Sequence, residues 1–517
     1  MSTKVQPIIL RDMSRGRINN DAVEESLIPQ NSVEHAMNFS FDQKIGSAVV
    51  RSGTTSIGTP VAAALPLGLA EFYKPTLAND YLVYAANGAT NTTSLWYYNG
   101  TTWTTSNLTT LHTAGANGQY KVRFATLLGR IFEVNGSEVP YSSADGATWD
   151  STTYLSGTSH PLTGVYPSLI FSSKAHLLLA GDPTYPDRVY LSSLADSVNG
   201  INWWVSSTPP TTGTAGWIDI NPDDNSRITG FAETSNTTLI FKNQGLYRLD
   251  VINQTVDTQS ICNFGAVSQE AIVNCQGIVY FFSGYNICQT SGDIPQEISR
   301  LGVQDFINAI PQTNWVGNGT SANPGVCAGT DGLNVYFSIG NITLNLNKND
   351  QKTYNNVVLK FSPRDQAWST HYYAQQPSFF TQYTITGDKR YMISADTSSL
   401  VQVFNKGTTD NTTPINYELI FQEQECQDRS HLNKISDKIV VFGDGLNDCQ
   451  LQVKSDDAGK DYQDLEGDLS KRVNIINDIN LEGYFFSFRI FGESSGTAPT
   501  FEGLQIENIT DMGITKS

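Results

Sequence analysis

Gly, Asn and Asp punctuate this chain every eight to twelve residues, and the stretches between them are built from aromatic, β-branched and small polar side chains. That rhythm limits the fold more than any other feature, because short strands at such spacing belong to an all-β sandwich, barrel or propeller. GIVYFFSGYNIC (Gly277 to Cys288) and GLNVYFSIGNITLNL (Gly332 to Leu346) are typical. One long helix signal interrupts the pattern between Ser283 and Ile310. Within Pro295 to Ile310, residues Ile298, Leu301, Asp305, Phe306 and Ile310 fall near helical spacing. Such a helix would pack between sheets or under a loop. No nucleotide-binding βαβ unit can be assembled from a chain of this kind.

From about Thr59 to Pro414 the pattern repeats without repeating its letters, as in YLVYAANG, SLWYYNGTTWTT, GRIFEVNGSEVPYSS and TTLIFKNQGLYRLD. At ~40–50 residues per four-stranded blade, about 355 residues give roughly seven blades, with six to eight all fitting. The sequence therefore predicts a β-propeller over 59–413. Asn99-Gly100, Asn135-Gly136 and Asp331-Gly332 read as hairpin dipeptides, since both residues tolerate positive φ. LIFSSKAHLLLAG (Leu169 to Gly181) is too continuously apolar for a half-exposed sheet and fits a strand buried on both faces.

The two ends differ from this body. Residues 1–58 read as an N-terminal docking arm, or equally as an ordinary first strand with a loose lead-in, with a short helix candidate from Asp21 to Met37 and a strand-like stretch ending at Arg51-Ser52-Gly53. The arm is a candidate strap across a subunit interface. Residues 414–517 predict a C-terminal β-sandwich-like sheet, with alternation at Phe485, Ser487, Arg489 and Phe491.

Only 16% of residues are charged, against 39% hydrophobic and 11% aromatic, so packed sheets with an Asn-, Thr-, Ser- and Gly-rich surface are expected. The net charge of −18 disfavours general affinity for phosphate backbones, though an acidic wall suits DNA that must slide past. Cys262, Cys275, Cys288, Cys327, Cys426 and Cys449 form no CxxC pair, and free thiols are expected. No apolar stretch approaches the ~20 residues of a membrane span, and the N-terminus has no secretory h-region. Asn91, Asn107 and Asn411 then stand in Asn-x-Thr triplets by composition alone.

Ser455, Asp457, Gly459 and Tyr462 match the Asp-box pattern S-x-D-x-G-x-x-aromatic, and Ser143-Ala144-Asp145-Gly146-Ala147-Thr148-Trp149 is a shortened version. The physics is local: the carboxylate accepts backbone amides, Gly supplies a left-handed position, and the aromatic packs on the hairpin. It is read as a structural turn. Glycosidic chemistry would need two convergent carboxylates, and Asp219, Asp223, Asp224, Glu233 and Asp250 are not singled out among 50 acids. The six histidines (His35, His112, His160, His176, His371, His431) show no metal spacing, and His176 reads as a core residue. No G-x-S-x-G elbow or phosphate loop occurs. Neither catalytic, cofactor-binding nor metal residues are assigned, and no cofactor is expected.

Three passages resemble the tail hub or nozzle proteins of short-tailed bacteriophages, including their packaged-DNA stabilisation proteins. They are SLIPQNSVEHAMNFSFDQKIGSAVVRSGTTSIG near the start, LIFKNQGLYRLD with CNFGAVSQEAIVNCQGIVYFFSGYNICQTSGDIPQEISRLGVQDFI in the middle, and KSDDAGKDY before FSFRIFG at the end. The resemblance implies a non-enzymatic virion tail protein assembled in the host cytoplasm. It implies a homohexameric ring below a portal-adaptor protein, with tail fibre or needle proteins as further neighbours and packaged DNA passing through without specific binding. A glycan-binding or receptor-binding tail protein, and a sialidase-like glycoside hydrolase, are the alternatives.

Overall fold

The computed structural model describes residues 7–18, 32–60, 65–73, 81–87, 92–109, 112–113, 121–151, 155–156, 162, 164–195, 201–202, 214–257, 259–317, 323–347, 350–385, 389–425, 432–435, 438–455, 462–477, 479–494, 496–507 and 509–513. Among these, seven antiparallel four- or five-stranded blades follow one another along the chain, six as separate sheets and one, Cys327 to Tyr372, as four strands of a ten-stranded sheet that continues into the sandwich described below. Their innermost strands are Leu65–Phe72, Arg123–Leu127, Leu169–Ser173, Ile228–Glu233, Ile272–Cys275, Cys327–Thr330 and Pro377–Thr384. Each lies beside the next, and Pro377–Thr384 returns to Leu65–Phe72, so the sheets close into a seven-bladed propeller. Blade numbers below follow this order. Second strands are apolar toward both neighbouring blades: His176–Ala180 and Thr238–Lys242 are buried at every position.

The seventh blade takes its outer strand from far upstream. Thr54–Ser56 pairs antiparallel with Val401–Phe404, so a segment the composition shift assigns to the arm closes the ring. The Arg51-Ser52-Gly53 step makes this possible. Arg51 is fully buried on Asp410, Asn38 and the Tyr372 carbonyl. A Cβ on Gly53 would meet the Thr409 carbonyl oxygen at 2.0 Å, so only glycine fits there.

The rest of the N-terminal segment is woven into a β-sandwich. One sheet runs Val33–Met37, Ile415–Phe421, Phe485–Ser494, Cys449–Ser455, Gln463–Leu465. The other runs Phe39–Ser40, Ala48–Val50, Thr500–Ile506, Ile439–Asp444, Val473–Ile476, with Ile8–Leu10 also on Thr500–Ile506. Their shared core joins Val33, Phe39 and Val50 to Leu419, Phe488, Val441 and Phe501. The described N-terminal strands thus hold hydrogen bonds and apolar contacts inside their own chain. The helix candidate Asp21 to Met37 ends in strand Val33–Met37, and its residues 21–31 lie outside the described residues. Met37 also pairs in parallel with Thr370, joining the sandwich to the outer strand of blade 6.

The Pro295 to Ile310 helix shrinks to one turn, Gln304–Asn308. Gln296–Glu297 is instead drawn into pairing with Cys288 and Gln289 as the outer strand of blade 5. Leu301 is exposed, whereas Phe306 and Ile310 pack in the core beside Trp368.

The three hairpin dipeptides are turns, of another type than expected. Gly100, Gly136 and Gly332 have φ of 91°, 79° and 92°. Asn99, Asn135 and Asp331 do not share the positive φ; each side chain accepts two backbone amides further along the turn. The described cysteines Cys262, Cys275, Cys288, Cys327 and Cys449 are free thiols, and Cys426 lies outside the described residues. Burial pushes the Cys288 and Cys327 thiols up to about 12.

Glu133 sits fully buried in blade 2 between its cross-strand neighbours Phe124 and Tyr141. Burial, with Glu138 nearby, raises its carboxyl well above the usual range. The folded state therefore holds a proton that the unfolded chain releases near its ordinary value of ~4.3, and stability falls as pH rises above that. Glu133→Gln is expected to raise the melting temperature at pH 7 and to match the wild type near pH 4. Equal melting temperatures at both values would contradict this.

Candidate functional site

The innermost strands surround a central channel, and one end of it is crossed by ions. Lys121 and Arg123 enter the first strand of blade 2, while Glu270 lies in the short turn Gln269–Ala271 before blade 5. Arg123 grips Glu270 with two parallel bonds, Nε to Oε1 at 2.7 Å and Nη2 to Oε2 at 3.1 Å. Its Nη1 donates to the Ser168 carbonyl of blade 3 at 2.7 Å. Lys121 Nζ adds a contact of 3.3 Å to Glu270 and donates to the Val316 carbonyl at 3.1 Å. Gln269 fixes the turn from below, with its amide exchanging two hydrogen bonds with the Phe231 backbone of blade 4.

Burial opposes the charge of Glu270, but Arg123 and Lys121 outweigh it and hold the carboxyl well below the usual carboxylate range. A carboxylate held this way neither gives nor takes a proton near neutral pH. It staples blades 2, 3 and 5 across the channel. A cavity of about 420 Å³ opens outside the staple, bordered by Arg123, Asp182, Arg227 and Ser268. One of about 290 Å³ lies inside it, walled by Phe124, Phe171, Cys327 and Phe379.

The acids considered for hydrolysis are committed elsewhere. Asp219 takes a bidentate Arg188, which lies on the Trp217 ring. Asp224 holds the buried Lys242 at 2.7 Å, Glu233 pairs with Lys174, and Asp250 caps its own turn. The Asp223 side chain lies outside the described residues. His176 donates to or accepts from nothing catalytic: its Nδ1 meets the Ser192 carbonyl in the core. His35 and His371 are buried with lowered pKa values, the side chain of His112 is outside the described residues, and so are His160 and His431.

The shortened Asp box is visible in full. Asp145 Oδ1 accepts the amides of Ala147 and Thr148 at 2.9 and 2.7 Å, Gly146 has φ 75°, and Trp149 folds back onto the Gly146 carbonyl. Burial works against the Asp145 charge, but these bonds lower its pKa overall. Asp145→Ala is expected to destabilise the propeller by about 1.5–3 kcal/mol, seen as a lower urea midpoint; an unchanged midpoint would contradict the turn's role. In the longer box, Asp457 and Gly459 lie outside the described residues. Ser455 donates to the Glu482 carbonyl at 2.5 Å and Tyr462 meets Ser487 at 2.9 Å, so both flanks pack on the sandwich.

A second concave region lies on the sandwich. The ends of Ile415–Phe421 and Phe485–Ser494, with the turn before Cys449–Ser455, shape a groove of about 870 Å³. At its base Glu418 meets His35 at 3.4 Å, Lys352 at 3.4 Å and Arg489 at 2.5 Å. Burial opposes its charge, yet these partners hold its carboxyl at about 2. Neither the channel staple nor Glu418 was legible in the sequence, because their partners stand far apart along the chain.

No protein-family model matches this chain, and no curated protein matches it significantly. Among solved structures, the Neurospora crassa Pan2 WD40 domain aligns at 10% identity over 69% of this chain and 94% of its own, with TM-score 0.37. BBS1N in complex with ARL6DN aligns at 11% identity over 70% and 100%, with TM-score 0.38. A glycoside hydrolase aligns at 12% identity over 87% and 100%, with TM-score 0.24. Among the described residues, no group of three or more His, Cys, Asp or Glu could hold a metal ion, and no helix is long and apolar enough to cross a membrane.

Proposed function

We propose that this chain is a structural subunit of a short-tailed phage tail, forming the hub or nozzle ring that extends the portal channel, retains packaged DNA and lets it leave. The observation that carries the reading is where the three resembling passages meet. His35 of the first passage and Phe306 of the second both pack at a tilt against Tyr354, at centroid distances of 5.8 and 5.7 Å. His35 and Arg489 of the third both contact Glu418. Passages hundreds of residues apart thus build one joint, where the propeller meets the sandwich. A joint of packed rings around a buried carboxylate paired with Arg489 and Lys352 fixes the angle between propeller and sandwich, which is what a ring subunit under load requires. The commitment of Asp219, Asp224, Glu233 and Asp250 to local turns and ion pairs supports a structural role over hydrolysis. The net charge of −18 supports passage of DNA without retention by contact.

The test is particle assembly without this chain. Heads are expected to fill with DNA and then lose it, and adding purified protein should restore retention. Heads that keep their DNA without the chain would contradict the proposal.

A further inference from the structure

We propose that the two outer faces of the sandwich are the two halves of a head-to-tail interface between copies of this chain, a basic apolar face on one copy seating in the acidic groove of the next. The inference rests on the ring reading only for the number of copies.

Side chains alternate across each sheet. Leu419, Ile490 and Leu451 of the first sheet, and Val441, Leu504 and Ile506 of the second, fill the shared core. Their neighbours Glu418, Arg489 and Gln450 therefore point out from one side, and Val440, Phe442 and Gln505 from the other. The register of the second sheet aligns Ile9, Gln505, Val440 and Ile475 in one row across four strands, with Phe442 and Val473 in the next. Ile9, Ile475 and Val473 are 52%, 50% and 49% exposed, so this face presents Val473 and Ile475 to solvent on its edge strand and Ile9 beyond Gln505 and the buried Val440. Its strand Val473–Ile476 lies at the sheet edge, paired on one side only among the described residues. Apolar surface of this kind, rimmed by polar groups, marks an interaction site.

The rim gives the partner's sign. Lys44 and Arg472 share Glu502, Lys438 pairs with Glu507, and Arg11 lies 4.2 Å over the Phe442 ring. Four cations thus gather around this face, sharing Glu502 and Glu507 between them, on a chain whose net charge is −18. The groove on the opposite side has the opposite sign. Asp448 and Glu493 are exposed there with no ion pair among the described residues, and its one arginine, Arg489, is already held by Glu418. Asn447 and Gln450 complete a polar lip, and Phe491 adds an apolar wall. Complementary patches on opposite sides of one body make a heterologous contact, which closes into a ring if the rotation allows. The charges set register and encounter rate, and the apolar row supplies burial.

Sedimentation of the full chain tests this. The wild type should self-associate at about 0.05 M salt and weaken at least tenfold at about 0.5 M, as screened surface charges require. The face variant Lys438→Glu/Arg472→Glu and the groove variant Asp448→Lys/Glu493→Lys should each lose association at least tenfold. Arg472, Asp448 and Glu493 are exposed and Lys438 is half-exposed, so cooperative melting of each variant will verify folding. Mixed one to one, the variants should associate again, because each reversed face then meets a reversed groove. A wild type that stays monomeric at low salt, variants that associate as the wild type does, or a mixture that stays apart would each overturn the interface. A restored mixture whose mass differs from six copies would leave the interface standing and sink the ring reading instead.

Discussion

Glu270→Ala is expected to destabilise the propeller by about 3–5 kcal/mol, the cost of breaking a buried ion pair by removing one partner. The side chains of Glu270, Lys121 and Arg123 are 6%, 12% and 17% exposed, so two cations of blade 2 would be left side by side with no counter-charge and little water. Glu270→Gln keeps the volume and loses the charge, and should cost nearly as much. The pH dependence follows from the lowered pKa of Glu270. A carboxyl whose folded pKa lies below its unfolded value of ~4.3 stabilises the fold above that pH and ceases to do so as pH falls toward the folded value. The gap in denaturant midpoint between wild type and Glu270→Gln should be full at pH 7 and shrink below about pH 4. Equal midpoints at pH 7 would show that the staple contributes nothing.

Arg51→Ala should cost a similar ~3–5 kcal/mol, but at a different place. The guanidinium donates to both carboxylate oxygens of Asp410 at 2.8 and 2.6 Å, to Asn38 at 2.8 Å and to the Tyr372 carbonyl at 2.7 Å. It also lies 4.0 Å from the Tyr373 ring centroid. These contacts tie blade 6, the loop after blade 7 and the sandwich to the step just before the closing strand Thr54–Ser56. Loss of Arg51 should therefore open the ring at blade 7 first. Hydrogen exchange should rise at residues 54–56 and 401–404 before it rises in blades 2 to 5, and proteolysis should cut there. Lysine should not rescue, since one ammonium cannot make the bidentate pair and the stacking together. Uniform exchange across all blades would contradict a local clasp.

The propeller was legible because blades are local: turn residues and apolar strands repeat within reach of one another, and doubly buried runs such as Leu169 to Gly181 announce central strands. The sandwich was only half legible. Alternation in Phe485 to Phe491 gave its central strand, but four of its eleven strands come from residues 8–50, and long-range pairing leaves no local trace. The same is true of Thr54–Ser56, whose partner strand lies some 350 residues on. The helix was overread because Gln296 and Glu297 satisfy their backbone in a strand ladder, which spacing alone does not reveal. Turn positions were right at Asn99, Asn135 and Asp331, and turn type was not, since side-chain capping competes with the positive-φ hairpin. Conversely, Lys174 and Ala175 take φ of 48° and 62° in a two-residue hairpin that no Gly or Asn marks. The buried networks of Glu270 and Arg51 join residues 147 and 359 positions apart, beyond any motif.

The copy number and symmetry of this protein within the particle bear most directly on its proposed role. Electron cryo-microscopy of the tail, with masses of the released assembly measured alongside, is expected to show six copies in one closed ring beneath the portal adaptor. Each sandwich should touch the next through its Val473–Ile476 face. A three-fold or single-copy position, or an assembly with the mass of one chain, would contradict the account.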